Sequence, residues 1–200
     1  MKTLAADSKD KLGKGRIVND FSIHIATVNG SGSQSSNNVL MRSIFQMGIP
    51  VSGKNLFPSN IAGLPTWFTI RVNKNGYIAR KEEVDILVAM NPQTAIKDVK
   101  DLTPGSVCIS PVELKLDAIR SDVKHYQVPF SELANQASED LKLRKLLTNM
   151  IYVGVVAELL DIAGEYGGLF AWIAPTYYIA ERGETALRAI AGDLITFRGQ

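Results

Sequence analysis

The chain has 200 residues, of which 46% are hydrophobic and 21% are charged, and its formal net charge is +2. These values predict one soluble globular domain with a sizeable core, and the small net charge argues against a nucleic-acid-binding protein. The longest apolar run, from Ile151 to Ile162, is interrupted by two acidic residues and is too short to span a bilayer. No apolar segment follows the basic N-terminus, so we expect a cytoplasmic protein without a membrane anchor.

Cysteine and histidine are too scarce to build the common catalytic and metal centres. Cys108 is the single cysteine, which excludes an intrachain disulfide and an iron–sulfur cluster held by this chain alone. It lies in an apolar, strand-like segment, so we expect an inert thiol in the core. His24 and His125 lie in separate predicted strands, and neither has a carboxylate or a cysteine at metal-ligand spacing. The sequence therefore predicts no catalytic residue and no metal ligand.

The first half of the chain alternates predicted strands with turns of small residues. Residues 1–20 are polar and basic, which predicts a flexible tail ahead of a domain over 21–197, with 198–200 as the start of a junction. The domain opens with a strand at 21–28, a turn of small residues, and a helix that ends at Gly48. A strand at 49–57 and a loop with two prolines follow. We then expect an antiparallel hairpin, with strands at 66–72 and 77–80 joined by a turn over 73–76.

The second half predicts parallel strands followed by helices. Residues 84–90 are almost all apolar, which is typical of a central parallel strand covered on both faces. A short helix over 92–101 and strands at 106–111 and 125–129 follow, and apolar residues from Leu141 to Ile162 recur at helical spacing. This order predicts an α/β fold with three layers (α/β/α). Its sheet is mainly parallel with one antiparallel hairpin, and its C-terminal third is helical.

The turn between the first strand and the first helix carries the main site prediction. Small residues ahead of a helix leave backbone N–H groups free near the positive end of the helix dipole, a geometry that binds anions. The turn approaches a dinucleotide fingerprint, but Ser35 stands where the third glycine belongs. That fingerprint also needs an acidic residue about 20 positions later to bind the ribose, and no Asp or Glu lies between Asp20 and Glu82.

The charged side chains of this acid-free interval are all basic. They are Arg42, Lys54, Arg71, Lys74, Arg80 and Lys81. The missing carboxylate disfavours an NAD site and a nucleotide-dependent oxidoreductase. Two interpretations of the turn then remain, a site for a phosphate-rich ligand and a tight structural turn on a basic surface.

Two further segments were considered as sites. Gly48 to Lys54 has Walker A spacing, but Asn55 replaces the Ser or Thr that binds Mg²⁺, and Gly48 ends a helix, so we reject it. The loop from Phe57 to Thr66 combines a stiff backbone with uncharged polar side chains. This combination predicts a binding or interface loop, and the alternative is a plain connection between strands.

Longer stretches of the sequence resemble a known family. The segment NGSGSQSSNNVLMRSIFQMGIPVSGKNLFPSNIAGLPTWFTIRVNKNG, with VDILVAMNP and the helix from Asn149 to Gly154, resembles the γ-type domain of 2-oxoacid:ferredoxin (acceptor) oxidoreductases. It looks most like the form that is fused to the α subunit in 2-oxoglutarate-type enzymes. Ser33 and Ser35 replace two glycines of the common family turn, and FPSNIAGLPT replaces an RGG-type loop. Both departures match the fused form.

The resemblance implies a part of a complex that oxidatively decarboxylates a 2-oxoacid to its acyl-CoA and passes electrons to ferredoxin. It implies that thiamine diphosphate and the iron–sulfur cluster belong to partner domains, namely the α and β domains or subunits. Ferredoxin would be an indirect partner, and neither nucleic acid nor a membrane is expected. The chain itself would help bind coenzyme A (CoA) and assemble the complex without being catalytic. The alternative is a pure assembly module without a small ligand.

Matching this sequence to the family residue by residue implies two sets of candidate site residues. The set that would contact CoA is Gly30, Ser31, Gly32, Ser33, Gln34 and Ser35, supplemented by Arg42 and Lys54. The set that would line the cleft between domains is Pro58, Ser59, Asn60, Gly63 and Thr66.

Overall fold

The computed structural model describes residues 19–58 and 61–160. The elements in chain order are β1 (Asp20–Val28), α1 (Ser33–Gln46), β2 (Val51–Leu56), β3 (Pro65–Asn73), β4 (Ile86–Ala89), α2 (Ala95–Lys100), β5 (Val107–Pro111), β6 (Lys124–Val128), α3 (Phe130–Ala137) and α4 (Leu141–Leu159). Two short 3₁₀ helices connect β5 to β6. Asp20, which we placed in the tail, is the first residue of β1. Residues 1–18 and the end of the predicted domain lie outside the described residues, so those boundaries stay predictions.

The strands form one 6-stranded sheet in the order β2–β3–β1–β4–β5–β6. β1, β4, β5 and β6 pair in parallel, whereas β3 runs antiparallel to both of its neighbours. The register places His24 of β1 opposite Thr69 of β3 and Leu87 of β4. The predicted mainly parallel sheet is confirmed.

Helices cover both faces of this sheet. On one face, side chains such as Ile25 and Ile70 pack against α1, α3 and α4 in the larger core cluster. On the other face, Leu87 and Cys108 pack against α2 and the 3₁₀ segment in a smaller cluster. Successive side chains of a strand point to opposite faces of the sheet, so β4 and β5 contribute to both clusters. The three-layer α/β/α arrangement is confirmed, and α3 and α4 supply the described part of the predicted helical C-terminal third.

The antiparallel hairpin is present but lies earlier in the chain than predicted. Residues 77–80 form no strand, and Tyr77 and Ile78 are 65% and 77% exposed. The turn does form, since the N–H of Gly76 donates to Asn73 O at 2.9 Å. However, β3 is hydrogen-bonded to β2 on one edge and to β1 on the other, so no edge is left for a returning strand. The hairpin is formed by β2 and β3, and the candidate loop connects them.

The direction of the connections changes between β1 and β4. From β1 the chain passes through α1 to the β2 and β3 side, and from β4 it passes through α2 to β5 on the opposite side. In open α/β sheets, ligands bind in the crevice outside the carboxyl ends of the strands at such a switch point. The turn after Val28 borders this crevice, so the topology supports the site predicted there.

Candidate functional site

The turn between β1 and α1 presents backbone amides at an uncapped helix start. Gly30 and Gly32 both have φ of 82°, a left-handed conformation that glycine adopts without steric cost. Gly32 is the N-cap of α1, and no side chain accepts a hydrogen bond there. The first N–H groups of a helix have no intrahelical acceptor and lie at the positive end of its dipole. Ser33, Gln34 and Ser35 therefore form the first helical turn and offer such N–H groups, whereas we had placed them in the preceding turn.

Side chains in this turn serve the fold as well as the candidate site. The hydroxyl oxygens of Thr27 and Ser33 lie 2.9 Å apart and share a buried hydrogen bond. Ser33 thus offers a ligand its backbone N–H and not its hydroxyl. In contrast, Ser31 Oγ is buried and has no hydrogen-bond partner in the described part of the chain.

The loop between β2 and β3 is hydrogen-bonded to the same turn. The backbone N–H of Asn29 donates to Leu64 O at 2.8 Å, the N–H of Gly63 donates to Asn29 O at 3.0 Å, and Asn29 Nδ2 donates to Ile61 O at 3.0 Å. Gly63, with φ of 91°, uses the left-handed conformation for this contact. The structure therefore brings the two candidate segments together. Pro58 is exposed, and Ser59 and Asn60 lie outside the described residues.

Asn55 joins the start of α1 to the base of the loop. Its Nδ2 donates to Gln34 Oε1 at 2.8 Å, and its Oδ1 accepts from Thr66 Oγ1 at 3.2 Å. Thr66 is 7% exposed, so its hydroxyl acts here as a buried structural contact. Sequence reasoning noticed Asn55 only as a mismatch to Walker A. The available signal was a polar residue on the α1-facing side of β2.

Helix α4 packs on the other side of the turn. Asn149 is 4% exposed, and its Nδ2 donates to Ser31 O at 2.8 Å. A Cβ at Gly32 would lie 2.5 Å from Leu146 Cδ2, so a larger residue at this N-cap would require the Leu146 side chain to shift. Neither side chain was predicted as a site residue. The signal for Asn149 was an amide within an otherwise apolar stretch of a helix.

A buried asparagine joins the carboxyl ends of β1 and β4. Asn91 is 1% exposed, and its Nδ2 donates to Thr27 O at 3.2 Å. Its Oδ1 accepts from the N–H of Gln93 at 3.0 Å, which shapes the loop after β4. The two walls of the switch-point crevice are thus held together by Asn91.

The predicted basic side chains do not converge on the turn. Arg42 is exposed and lies about 13 Å along the axis of α1 from its first residue, at 1.5 Å per residue. Gly53 faces α1, because a Cβ there would lie 2.6 Å from Met41 Sδ. Its neighbour Lys54 therefore points to the opposite face of the sheet. The role of Arg42 and Lys54 as ligand contacts stays a prediction.

Other basic residues of the acid-free interval are used in ion pairs. Arg71 is buried, forms an ion pair with Asp20, and donates to Phe21 O at 3.2 Å. Lys81 Nζ lies 3.4 Å from the Asp85 carboxylate. The positive charges of Arg71 and Lys81 are therefore partly neutralised by neighbouring carboxylates in the folded chain.

Metal-ligating side chains are not clustered in the described residues. No group of three or more His, Cys, Asp or Glu side chains among them is placed to hold a metal ion. Cys108 is fully buried, which confirms its expected place in the core, and burial raises the pKa of its thiol to about 12. Burial lowers the pKa of His24, while the nearby Asp98 charge acts in the opposite direction. His125 Nε2 lies 3.1 Å from Arg120 O.

The arrangement is suited to binding through uncharged groups. The turn offers amides, and the loop and α4 enclose it from two sides. The half-buried Asn55 and the buried Asn91 and Asn149 hold these parts in place. In the described part of the chain, no helix has the length and apolar character needed to cross a bilayer.

Comparisons with known proteins identify the family of the chain. A family model described as pyruvate ferredoxin/flavodoxin oxidoreductase matches residues 22–187. The alpha subunit of 2-oxoacid:ferredoxin oxidoreductase 2 from Aeropyrum pernix is 26% identical over 90 residues. Those residues are 45% of this chain and 14% of that relative, so the chain spans a small part of its length.

Solved structures share the fold at low sequence identity. The 2-oxoglutarate:ferredoxin oxidoreductase from Magnetococcus marinus, which has 2-oxoglutarate, coenzyme A and succinyl-CoA bound, matches with a TM-score of 0.69 and 20% identity over 86% of this chain and 32% of that chain. The pyruvate oxidoreductase subunit PORC from Thermotoga maritima matches at 0.56 and 15% identity over 72% and 79% of the two chains. The gamma subunit of a keto/oxoacid ferredoxin oxidoreductase from Geobacter sulfurreducens matches at 0.56 and 14% identity over 71% and 78%. Because the family model covers most of its length, the chain belongs to the pyruvate ferredoxin/flavodoxin oxidoreductase family.

Proposed function

We propose that the chain is a γ-type part of a 2-oxoacid:ferredoxin oxidoreductase and helps to bind CoA without being catalytic itself. The observation that carries this proposal is the uncapped start of α1 at the switch point of the sheet, in a chain of this family. CoA carries phosphate groups, and amides at a helix start bind phosphate. The Magnetococcus marinus enzyme, which shares the fold and has CoA bound, supports the choice of ligand.

In this proposal the decarboxylation and the electron transfer belong to the α and β domains or subunits. An iron–sulfur cluster needs several cysteine ligands, and the sequence has a single cysteine, which is buried. Thiamine diphosphate needs a divalent metal held by carboxylates and phosphates. The described residues hold no group of three side chains suited to that metal. A chain with one cysteine cannot hold an iron–sulfur cluster by itself, and we infer that partner domains supply both cofactors.

The charge distribution predicts weak binding by the isolated chain. Amides and a helix dipole stabilise an anionic group by about 0.3–1 kcal/mol at an exposed site. Arg42 and Lys54 lie away from the turn, and Arg71 is paired with Asp20. We expect a partner domain to supply the cations that complete a tight site.

A second candidate function is assembly without a small ligand. Leu56, Phe57, Ile61 and Leu64 are 43%, 47%, 65% and 37% exposed around the loop, and Leu146 is 50% exposed on the other side of the turn. Large apolar side chains exposed together are typical of a protein–protein contact. This surface favours a partner domain seated over the turn.

Calorimetric titration of the full chain with CoA and with desulfo-CoA separates these functions. If the phosphates carry the binding, both ligands bind with similar affinity, because the thiol is not needed. The absence of heat with both ligands at millimolar concentration leaves assembly as the function. Tighter binding of NAD than of CoA contradicts both and favours a nucleotide-dependent oxidoreductase.

A further inference from the structure

Asn149 connects α4 to the candidate turn through one buried hydrogen bond. Its side chain is 4% exposed, and Nδ2 donates to Ser31 O at 2.8 Å across 118 positions of the sequence. The N–H of Ser31 donates to Val28 O at 3.1 Å. Ser31 is therefore held through both of its backbone polar groups.

This bond fixes the direction of the next amide. In a trans peptide, the C=O and the N–H of one peptide unit point in opposite directions, and the described part of the chain contains no cis peptide bond. Ser31 O points towards Asn149, so the N–H of Gly32 points away from α4. Leu146 closes the α4 side of Gly32. The Gly32 amide therefore faces the open side of the turn, at the start of α1.

A turn with glycines on both sides of Ser31 needs such a constraint. Gly30 and Gly32 impose little restriction of their own on φ and ψ, so the peptide unit between Ser31 and Gly32 can rotate when its carbonyl is not held. A binding group that must be ordered on binding loses affinity relative to one that is already ordered. We propose that Asn149 is a positioning residue that sets the affinity of the turn for CoA by orienting the Gly32 amide. This inference rests on the proposed function of the turn.

Tyr152 provides a matched control on the same helix. Its hydroxyl donates to Asn37 Oδ1 at 2.7 Å and so also joins α4 to α1. Asn37 lies inside α1, past the first helical turn, so this bond orients no amide of the candidate site. Tyr152→Phe therefore removes an α4–α1 hydrogen bond without releasing the turn.

The test is the dissociation constant for CoA of the full chain and of three variants, measured by calorimetry. We expect Asn149→Ala to weaken CoA binding about tenfold, since one hydrogen bond of ordinary strength is lost from the ordered state. We expect Tyr152→Phe to change the constant less than twofold. Asn149→Asp should bind weakly at pH 7.5, because a carboxylate cannot donate to Ser31 O. Burial raises the pKa of a carboxyl at this position, so near pH 5.5 a larger fraction of the side chain is protonated and can donate to Ser31 O. The affinity of Asn149→Asp relative to the wild type should then rise.

The outcomes separate the two proposals. If the wild-type chain does not bind CoA, the proposed function of the turn fails, and this inference fails with it. If the wild type binds, and Asn149→Ala and Tyr152→Phe lose the same affinity, the positioning role is overturned. If Asn149→Ala does not fold, the Asn149→Asp series decides. The deciding quantity is the CoA affinity of Asn149→Asp divided by that of the wild type at the same pH. If this ratio does not change with pH, the inference is overturned, and if it rises at low pH, the inference is supported.

Discussion

Replacing Gly32 with alanine tests how closely α4 packs on the candidate turn. Gly32 has φ of 82°, and the Cβ of an alanine would lie 2.5 Å from Leu146 Cδ2. The left-handed conformation costs a residue with a Cβ about 1 kcal/mol. Overpacking in a core costs about 1–3 kcal/mol, and the low end applies because Leu146 is half-exposed and can move. The expected loss in the free energy of unfolding is therefore about 2 kcal/mol.

Gly48→Ala is the matched control for this variant. Gly48 has φ of 75°, and nothing in the described structure lies within 4 Å of the position of a Cβ there. The free energy of unfolding of Gly48→Ala should therefore fall only by the conformational cost of about 1 kcal/mol. In a double-mutant cycle, Leu146→Ala should offset about 1 kcal/mol of the stability loss caused by Gly32→Ala, because the shorter side chain no longer clashes with the new Cβ. Urea unfolding followed by circular dichroism measures all four variants. Equal losses for the two glycine variants, with no coupling to Leu146, would refute the packing of α4 on the turn.

Three further predictions concern buried or half-buried side chains. Asn91→Ala removes the side-chain hydrogen bonds to Thr27 O and the Gln93 N–H. The free energy of unfolding in urea should therefore fall by about 2 kcal/mol. A fall of less than about 0.5 kcal/mol would contradict the role of Asn91 as a bridge. Burial holds the pKa of His24 below its ordinary value of 6.5. The unfolded chain therefore binds more protons below that pH, and stability should fall from pH 7 to pH 5. His24→Gln should reduce that slope, and an unchanged slope would argue against a buried neutral imidazole. The Cys108 thiol, with a pKa raised to about 12, should not react with a disulfide reagent at pH 8 until urea unfolds the chain; fast reaction of the native chain would show that it is accessible.

The parallel strands could be predicted because their information is local. Apolar runs beside proline or glycine indicate β4 and β5, and the short segment HYQVP, which ends at Pro129, indicates β6. The structure confirms all three strands. The return strand at 77–80 was wrong for a non-local reason. A strand forms only where an edge is free, and both edges of β3 are occupied by β1 and β2. No local pattern in the sequence reports the occupation of an edge.

The candidate segments could also be predicted, because small residues and prolines mark the turn and the loop. The residues that hold them together could not. Asn55, Asn91 and Asn149 act through partners that are 21, 64 and 118 positions away. Sequence spacing also could not show that Lys54 lies on the face of the sheet opposite α1, because that depends on the register of β2. Ligand contacts by Arg42 and Lys54, and by the amides of the turn, therefore stay predictions.

The most direct test of the proposed function is a CoA titration of the ¹⁵N-labelled full chain followed by NMR. The account predicts that the amide signals of Gly32, Ser33 and Gln34 shift progressively with CoA. Signals from the Lys54 face of the sheet should change little. Two results would contradict the proposed function. One is a saturable shift of the signals of Lys54 and its neighbours while the signals of the turn do not change, and the other is the absence of any shift at millimolar CoA.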